Sequence, residues 1–143
     1  MKKRRLALLP AIIVVLSLAL VLTKPETALH FTTLNNMVKS VVDHEMKYVD
    51  IPEEASVEAT YEAMIRVDAY MHGHLEVKDY FLINVGVLDY RGKRYPITIG
   101  TMKHVYVLIT EGQARKVLLR GWSPQRVQQL LKNKKDKASK QVK

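Results

Sequence analysis

The sequence predicts an α+β protein with an N-terminal transmembrane helix, and three observations predict it. The segment Leu6–Leu22 carries no charge, and its only polar side chain is that of Ser17. Residues 29–48 and 53–71 repeat apolar side chains at spacings of three and four, which is typical of amphipathic helices. Residues 80–109 are rich in β-branched and aromatic residues interrupted by glycines, which indicates a three-stranded antiparallel meander with C-terminal helices after it.

The apolar segment Leu6–Leu22 has nearly the length that a bilayer requires. As a helix it would be about 26 Å long, close to the ~30 Å hydrocarbon core of a membrane. Four basic residues, at positions 2–5, precede it, and only Lys24 follows it directly. Since cytoplasmic flanks carry the excess of Lys and Arg, we expect a cytoplasmic N-terminus and an extracytoplasmic domain from residue 25 onward. The expected partner of this segment is the lipid bilayer of the cell membrane.

The alternative for residues 1–24 is a cleaved signal peptide, which would make the protein secreted. Signal peptides also begin with a basic region, but their apolar core is usually ~7–15 residues long and an A-x-A pattern follows it. The apolar segment here is longer, and residues 19–25 lack that pattern. A buried helix of a water-soluble protein is less favoured, because a helix that is apolar on all sides has no face for water.

Charge is unevenly distributed along the chain, whose net charge is +9. Residues 25–110 contain eight Lys or Arg against twelve Asp or Glu, a net charge of −4, whereas residues 111–143 contain ten against two, a net charge of +8. The central part is therefore mildly acidic and the C-terminal part basic, so the overall charge does not by itself indicate a nucleic-acid-binding protein. The chain has no cysteine, which excludes disulfides.

Two amphipathic helices are predicted after the anchor. The first, over residues 29–48, has an apolar stripe of Phe31, Leu34, Val38, Val41, Val42 and Met46. The second, over residues 53–71, is expected to stop at Gly73. Arg66 and Asp68 interrupt its apolar pattern, so a shorter helix followed by a mobile loop is the alternative.

The meander is predicted from three strand-like stretches, at residues 80–90, 94–99 and 104–109. Gly92 is expected to supply a positive φ in a tight turn between the first two. Residues 100–103 form the second turn or a bulge. Three strands need a cover over one face, and the helix over residues 29–48 is the best candidate.

Three residues within these stretches indicate irregular strands. Pro96 cannot donate to a neighbouring strand, so it marks an edge or a bulge. Gly86 and Gly100 indicate bulges or a close approach of other groups to the backbone. A role in a ligand-binding loop is the less favoured reading of the two glycines.

The C-terminal part is predicted to form two helices. Thr110 caps the first, over residues 111–120, and Ser123 with Pro124 begins the second. From Lys132 onward the sequence is lysine-rich and nearly devoid of apolar residues, which predicts a disordered tail. The predicted domains are thus an anchor or signal segment at 1–24, a small α+β extracytoplasmic domain at 25–121, and a basic helix with its tail at 122–143.

The stretch from Asp79 to Val107 combines an aromatic pair, regularly placed glycines and a His-Val pair: Tyr80, Phe81, Gly86, Tyr90, Gly92, Gly100, His104 and Val105. In these residues it resembles a small bacterial family of membrane-anchored or secreted proteins of unknown function. The resemblance implies an N-terminal hydrophobic segment, an amphipathic helix and a β-hairpin near the end of the chain. It implies no enzymatic activity.

Four residues form the most suggestive polar cluster: Asp68, His72, His74 and Asp79. Imidazole and carboxylate groups suit a divalent metal ion, and a His-x-His pair on a strand would place both rings on one side. No zinc-ligand spacing of the usual kind is present, however. Histidines at a helix end are therefore the preferred interpretation, and no cofactor is expected.

An enzyme is the second functional hypothesis, either metal-dependent or hydrolytic, using His72, His74 and His104. His104 offers a base, but no nucleophile lies near it in sequence. The chain also lacks the nucleophile-elbow, phosphate-loop and zinc-protease motifs. No catalytic residue is therefore assigned, and an ordinary, partly buried histidine is the preferred interpretation of His104.

The basic tail offers a third hypothesis. Its lysines could bind an anionic lipid, an envelope polymer or, if it faced the cytoplasm, a nucleic acid: Lys132, Lys134, Lys135, Lys137 and Lys140. A solvated tail that aids solubility is the simpler reading. The leading expectation is a single-pass envelope protein whose extracytoplasmic domain acts as a binding or structural module, with an unknown protein partner.

Overall fold

The computed structural model describes residues 2–141, and it describes their side chains except at residues 2–7, 134, 138 and 141. Over this range the fold is α+β, as predicted, with five helices and one four-stranded antiparallel sheet. In chain order the elements are α1 (Lys2–Leu22), α2 (Thr27–Met46), α3 (Glu53–His74), β1 (Leu75–Asp79), β2 (Asn84–Tyr90), β3 (Lys93–Thr101), β4 (His104–Val107), α4 (Glu111–Val117) and α5 (Pro124–Gln141).

The chain forms two compact units that alternate along the sequence. One comprises the chain up to Thr33 together with His74–Ile109, and the other comprises Leu34–Gly73 together with the chain from Thr110. The first, the sheet unit, contains α1, the first turns of α2 and the whole sheet. The second, the helical unit, contains the rest of α2, nearly all of α3, and α4 and α5. The predicted domain boundaries at residues 24/25 and 121/122 stay predictions.

The sheet is a simple meander in the order β1-β2-β3-β4. It has one strand more than the sequence predicts, because β1 (Leu75–Asp79) was not predicted. Three of its five residues are charged, and it follows α3 without a break, so its sequence does not resemble a half-buried strand. Tyr80 was predicted to begin the first strand and instead pairs with Ile83 through two backbone hydrogen bonds of 2.8 and 3.1 Å, which closes a tight turn between β1 and β2.

The irregularities of the sheet lie where the sequence indicates them. Gly86 pairs with Thr98 whereas the next residue, Val87, pairs with Pro96, so the register shifts by one residue at a bulge. The pairing of β3 with β4 ends at Thr98. Pro96 therefore lies at a bulge and beyond the end of β4, as its missing N–H requires.

Apolar stripes on two helices supply most of the buried side chains of the helical unit. In α2 they recur at every fourth residue (Leu34, Val38, Val42 and Met46), and in α3 they do the same (Ala59, Ala63, Val67 and Met71). This spacing keeps the buried side chains on one side of each helix. The other buried apolar residues of this unit are Val41, Ala114, Leu118, Leu119, Trp122 and Val127.

Both predicted C-terminal helices are present, and the last is longer than predicted. Thr110 and Gln113 form a reciprocal capping box at the start of α4. The Oγ of Ser123 accepts from the N–H of Arg126 at 3.3 Å at the start of α5. The prediction of a disordered tail from Lys132 is wrong for the described residues, because α5 continues to Gln141. Lys, Gln, Arg and Ala all favour helices, and no Gly or Pro interrupts them.

Candidate functional site

The first helix exposes apolar side chains on every side. Nine of them have between 52% and 74% of their surface exposed: Leu8, Leu9, Ile12, Ile13, Val14, Val15, Leu16, Leu18 and Leu22. Five of the nine, at positions 12–16, are consecutive, and successive residues of a helix point about 100° apart. The exposed apolar surface therefore encircles α1 and is not confined to one stripe.

Length and composition alone do not mark any single helix of the described residues as a membrane span. Leu8–Leu22 and Thr27–Met46 meet such criteria as a pair, with a bend of 68° between them.

Three consecutive residues between α1 and α2 are each held by the sheet, and we call residues 23–26 the elbow. The backbone N–H of Lys103, in the turn between β3 and β4, donates to the carbonyl oxygen of Thr23. The ammonium group of Lys24 pairs with the carboxylate of Asp79 at the end of β1. The side-chain amide of Asn84 donates to the carbonyl oxygen of Pro25 at 2.6 Å. The path of the chain as it leaves α1 is thus fixed by contacts to three points of one sheet end.

Directly after the elbow, a buried histidine joins α2 to the middle strands of the sheet. His30 has no exposed surface. Its Nδ1 lies 2.7 Å from the hydroxyl of Thr98, and its Nε2 lies 2.8 Å from Oδ1 of Asn84. We call these three side chains the polar latch. They come from α2, β2 and β3, so the latch fixes the start of α2 on the sheet.

The hydrogen bonds of the polar latch place a hydrogen on Nε2 of His30. The amide nitrogen of Asn84 donates to the carbonyl of Pro25, so Oδ1 of Asn84 can only accept. Nε2 of His30 must therefore carry a hydrogen, and in the neutral ring Nδ1 is then an acceptor. The Thr98 hydroxyl donates to it. All the side-chain polar atoms that meet in the latch are satisfied by a single tautomer, which makes the latch specific in geometry.

Two glycines provide the space for the polar latch. A Cβ at Gly100 would lie 2.0 Å from Oδ1 of Asn84 and 2.8 Å from Nε2 of His30, and one at Gly86 would lie 2.1 Å from the Thr98 hydroxyl. No side chain at either position fits these distances. The predicted close approach to the backbone is therefore confirmed at both glycines, together with the bulge beside Gly86.

The latch residues were not predicted from the sequence as a site. His30 lies 54 residues from Asn84 and 68 from Thr98, and no motif connects them. The two glycines in strand-like stretches were the available signal, since each marks a place where something touches the backbone. Complete burial of His30 makes the latch a structural element and not an acid or base for an external substrate.

The structure brings two of the four predicted metal-site residues together. In the helical unit, Nδ1 of His72 lies 3.4 Å from Oδ2 of Asp68 and 2.9 Å from its backbone oxygen, one turn earlier in α3. In the sheet unit, His74 ends α3 and Asp79 pairs with Lys24. Among residues with described side chains, no three His, Cys, Asp or Glu residues are grouped in a way that could hold a metal ion.

Asp68 and His72 also border an open cleft of the helical unit of about 480 Å³, which Asn35, Tyr61, Met64, Ile65 and Ala69 complete. The amide of Asn35 donates to Asp68 at 3.4 Å. The cleft is wide and mostly apolar, with its acidic group already engaged by the amide and the imidazole. It offers a shallow binding surface and no arranged catalytic group.

The histidine proposed as a base is exposed and engaged locally. Nδ1 of His104 donates to the carbonyl oxygen of Met102 at 2.8 Å, two residues earlier in the chain. His104 was expected to be partly buried, and this is wrong, because it begins the edge strand β4.

The predicted lysine site lies on α5. The side chains of Lys132, Lys135, Lys137 and Lys140 are exposed, and the side chain of Lys134 lies outside the described residues. On a helix, Lys132 and Lys135 are neighbours, and so are Lys137 and Lys140, but the two pairs point in different directions. One flat anionic surface can therefore engage only part of the set at a time.

The chain matches no protein-family model, no curated protein and no solved structure. The resemblance of the stretch from Asp79 to Val107 to a bacterial family therefore stays a prediction.

Proposed function

We propose that the protein is a single-pass membrane protein of the bacterial envelope whose extracytoplasmic domain is a binding or structural module held next to the bilayer. The observation that carries the proposal is the ring of exposed apolar side chains on α1. At roughly 25 cal/mol per Å² of apolar surface removed from water, such a helix gains several kcal/mol by entering lipid. These apolar side chains are not covered by the rest of the sheet unit, over the part of α1 whose side chains the structure describes.

The elbow supports a structural role for the connection. A flexible linker would let the domain rotate freely on its anchor, whereas Thr23, Lys24 and Pro25 are each bonded to the sheet. The polar latch then fixes the first turns of α2 a few residues later. A domain tied in this way keeps one end of its sheet directed toward the membrane.

The distribution of charge supports the proposed orientation. Four basic residues precede the apolar segment and one follows it directly, so the N-terminus is the cytoplasmic end. The resemblance to membrane-anchored or secreted bacterial proteins agrees with an extracytoplasmic domain.

Cysteine labelling in cells tests insertion and orientation together, because the natural chain has no cysteine. Single substitutions Lys3→Cys and Arg91→Cys place one thiol on each predicted side of the membrane. In intact spheroplasts a membrane-impermeant maleimide should label the Arg91→Cys chain and should label the Lys3→Cys chain only after lysis. The reverse pattern contradicts the orientation. Recovery of both variants in the soluble fraction contradicts the anchor.

The same sample distinguishes a retained anchor from a cleaved signal peptide. The proposal predicts the mass of the full chain for the membrane-bound protein. A product that begins after residue 24 and is found in the medium shows a secreted protein instead.

A second candidate function rests on α5, whose exposed lysines form a cationic helix. Each Lys near an acidic lipid surface contributes about 1 kcal/mol, an attraction that salt screens. Binding of this kind to an anionic lipid or an envelope polymer would add to the anchor. Replacing Lys137 and Lys140, which are neighbours on the helix, with Gln should weaken binding to anionic vesicles at low salt and leave binding to neutral vesicles unchanged. Equal loss on both kinds of vesicle excludes this role.

A further inference from the structure

The two ends of the sheet carry different side chains. At the end away from the elbow, the turn between β2 and β3 is formed by Arg91 and Gly92 and followed by Lys93 and Arg94. At the elbow end, three large apolar or aromatic side chains are exposed: Tyr80 (52%), Phe81 (74%) and Met102 (56%). Exposure of apolar side chains to water is unfavourable, and a group of them at one end of the sheet is typical of an interaction surface.

The turn that carries Met102 is also conformationally unusual. Met102 and Lys103 both have positive φ, of 50° and 62°. Two-residue turns of this type favour Asn-Gly, because residues with a larger side chain are strained at positive φ. Backbone strain of this kind is typical of functional positions. The equivalent turn at the other end also has positive φ at both positions, 54° at Arg91 and 72° at Gly92, but its second residue is a glycine, so only one of its two residues is strained.

These exposed side chains lie beside the points where the elbow contacts the sheet. Lys103, which follows Met102, donates its N–H to Thr23, the first residue after α1. Asp79, which precedes Tyr80, pairs with Lys24. If α1 spans the bilayer, both contacts lie at the outer surface of the bilayer. The β1–β2 turn and the β3–β4 turn then lie there as well.

An open cleft at the same place exposes cationic and apolar groups together. Its volume is about 500 Å³, and it lies between the end of α1 and the start of α2. Lys24, Lys103 and Glu26 supply charge to its lining, and Leu22, Pro25, Ala28, Leu29 and Thr32 complete it. Lysines and aromatic side chains at the level of the headgroups are typical of membrane interfaces.

We propose that the elbow end of the sheet is a second membrane-binding surface, which inserts Phe81, Tyr80 and Met102 into the headgroup layer of the bilayer that α1 spans. Lys103 faces the lipid phosphates. The occupant of this surface is lipid, because the cleft beside it is lined both by Leu22, at the end of α1, and by Lys103, next to Met102. The inference rests on the proposed function, since it places these turns at the bilayer through α1.

Depth-dependent fluorescence quenching in proteoliposomes tests this placement on the full chain. A bimane label is attached to one cysteine per variant: Phe81→Cys and Met102→Cys at the proposed surface, Arg91→Cys at the opposite end of the sheet, and Val15→Cys in α1. Lipids that carry a nitroxide at the headgroup or deep in the acyl chain serve as quenchers. Circular dichroism confirms the fold of each variant.

We expect headgroup nitroxides to quench the labels at positions 81 and 102 about twofold or more relative to the label at position 91. The label at position 15 should be quenched by the deep nitroxide. If position 15 is quenched and positions 81 and 102 behave like position 91, the surface is refuted and the anchor stands. If position 15 is not quenched by either lipid, the anchor fails, and the surface falls with it.

Discussion

Helices α1 and α2 follow one another and are nearly equal in length, but α1 exposes its apolar side chains whereas α2 buries a stripe of them. In α1 the nine exposed apolar side chains surround the helix, whereas in α2 Leu34, Val38 and Val42 have no exposed surface. The difference lies in periodicity. In α2 the buried apolar residues recur at every fourth position and form one stripe, which a protein core can cover. The apolar segment of α1 has no polar side. A protein core of this size can bury a stripe, and we propose that lipid surrounds α1.

The largest effect is expected when charge is placed in the middle of α1, because this opposes its insertion into lipid. Each Arg at the centre of a membrane helix costs about 2.5–3.5 kcal/mol, so Val14→Arg with Val15→Arg costs roughly 5–7 kcal/mol. The double variant should leave the membrane pellet after an alkaline carbonate wash. The matched control is Val57→Arg, because Val57 on α3 is 66% exposed, as is Val15. If both proteins leave the pellet, or if both stay in it, the proposed difference between the lipid-facing surface of α1 and the exposed surface of α3 is contradicted.

The complementary change removes a buried side chain of α2. Leu34→Ala should lower the free energy of unfolding by about 2–5 kcal/mol, because it leaves a cavity in a closed core. Leu29→Ala, one turn and a residue earlier in the same helix, should cost below about 1 kcal/mol since Leu29 is 36% exposed. Urea unfolding of the full chain in detergent micelles measures both values. Equal costs would show that the stripe of α2 is not a core.

A smaller effect is expected at the polar latch, which holds the first buried position of α2. Gly100→Ala introduces a methyl group 2.0 Å from the oxygen of Asn84 and should destabilise the fold by about 1–3 kcal/mol. Gly73→Ala is the control, because it meets nothing within 4 Å and lies in α3. It should stabilise the fold by about 0.5–1 kcal/mol. The same sign for both substitutions would refute the tight fit.

The smallest effect is expected from one hydroxyl group of the latch. Thr98→Val keeps the shape of the side chain but leaves Nδ1 of His30 without its donor, at a cost of about 1–2 kcal/mol. Thr98→Ser should restore most of the lost stability, because it keeps the hydroxyl. Thr32→Val serves as the surface control, since the exposed Thr32 only donates to the carbonyl of Ala28 in its own helix. Equal effects of Thr98→Val and Thr32→Val would contradict a stabilising hydrogen bond between Thr98 and His30.

Local patterns predicted most of the fold, because their physics is local. The caps at Thr110 and Ser123 and the positive φ of Gly92 depend only on neighbouring residues, and each was predicted. The strand β1 was missed because it is mostly charged. The helical continuation after Lys132 was missed because the low apolar content predicted disorder, although the same residues have good helix propensity.

The candidate site was predictable only in part, because its contacts are distant in sequence. Gly86 and Gly100 indicated that something approaches the sheet, but nothing in the sequence identified His30 as the group that does so. The apolar segment indicated lipid, whereas its attachment to the sheet through Thr23, Lys24 and Pro25 becomes visible only in three dimensions.

The most direct test of the central claim is flotation of the full chain with vesicles of purely neutral lipid in high salt. These conditions remove the attraction between α5 and anionic lipid, so only apolar insertion remains. A helix that is surrounded by lipid should carry the protein to the top of the gradient with its vesicles. Protein that stays at the bottom, and floats only with anionic lipid at low salt, would contradict the claim that α1 is built for the bilayer.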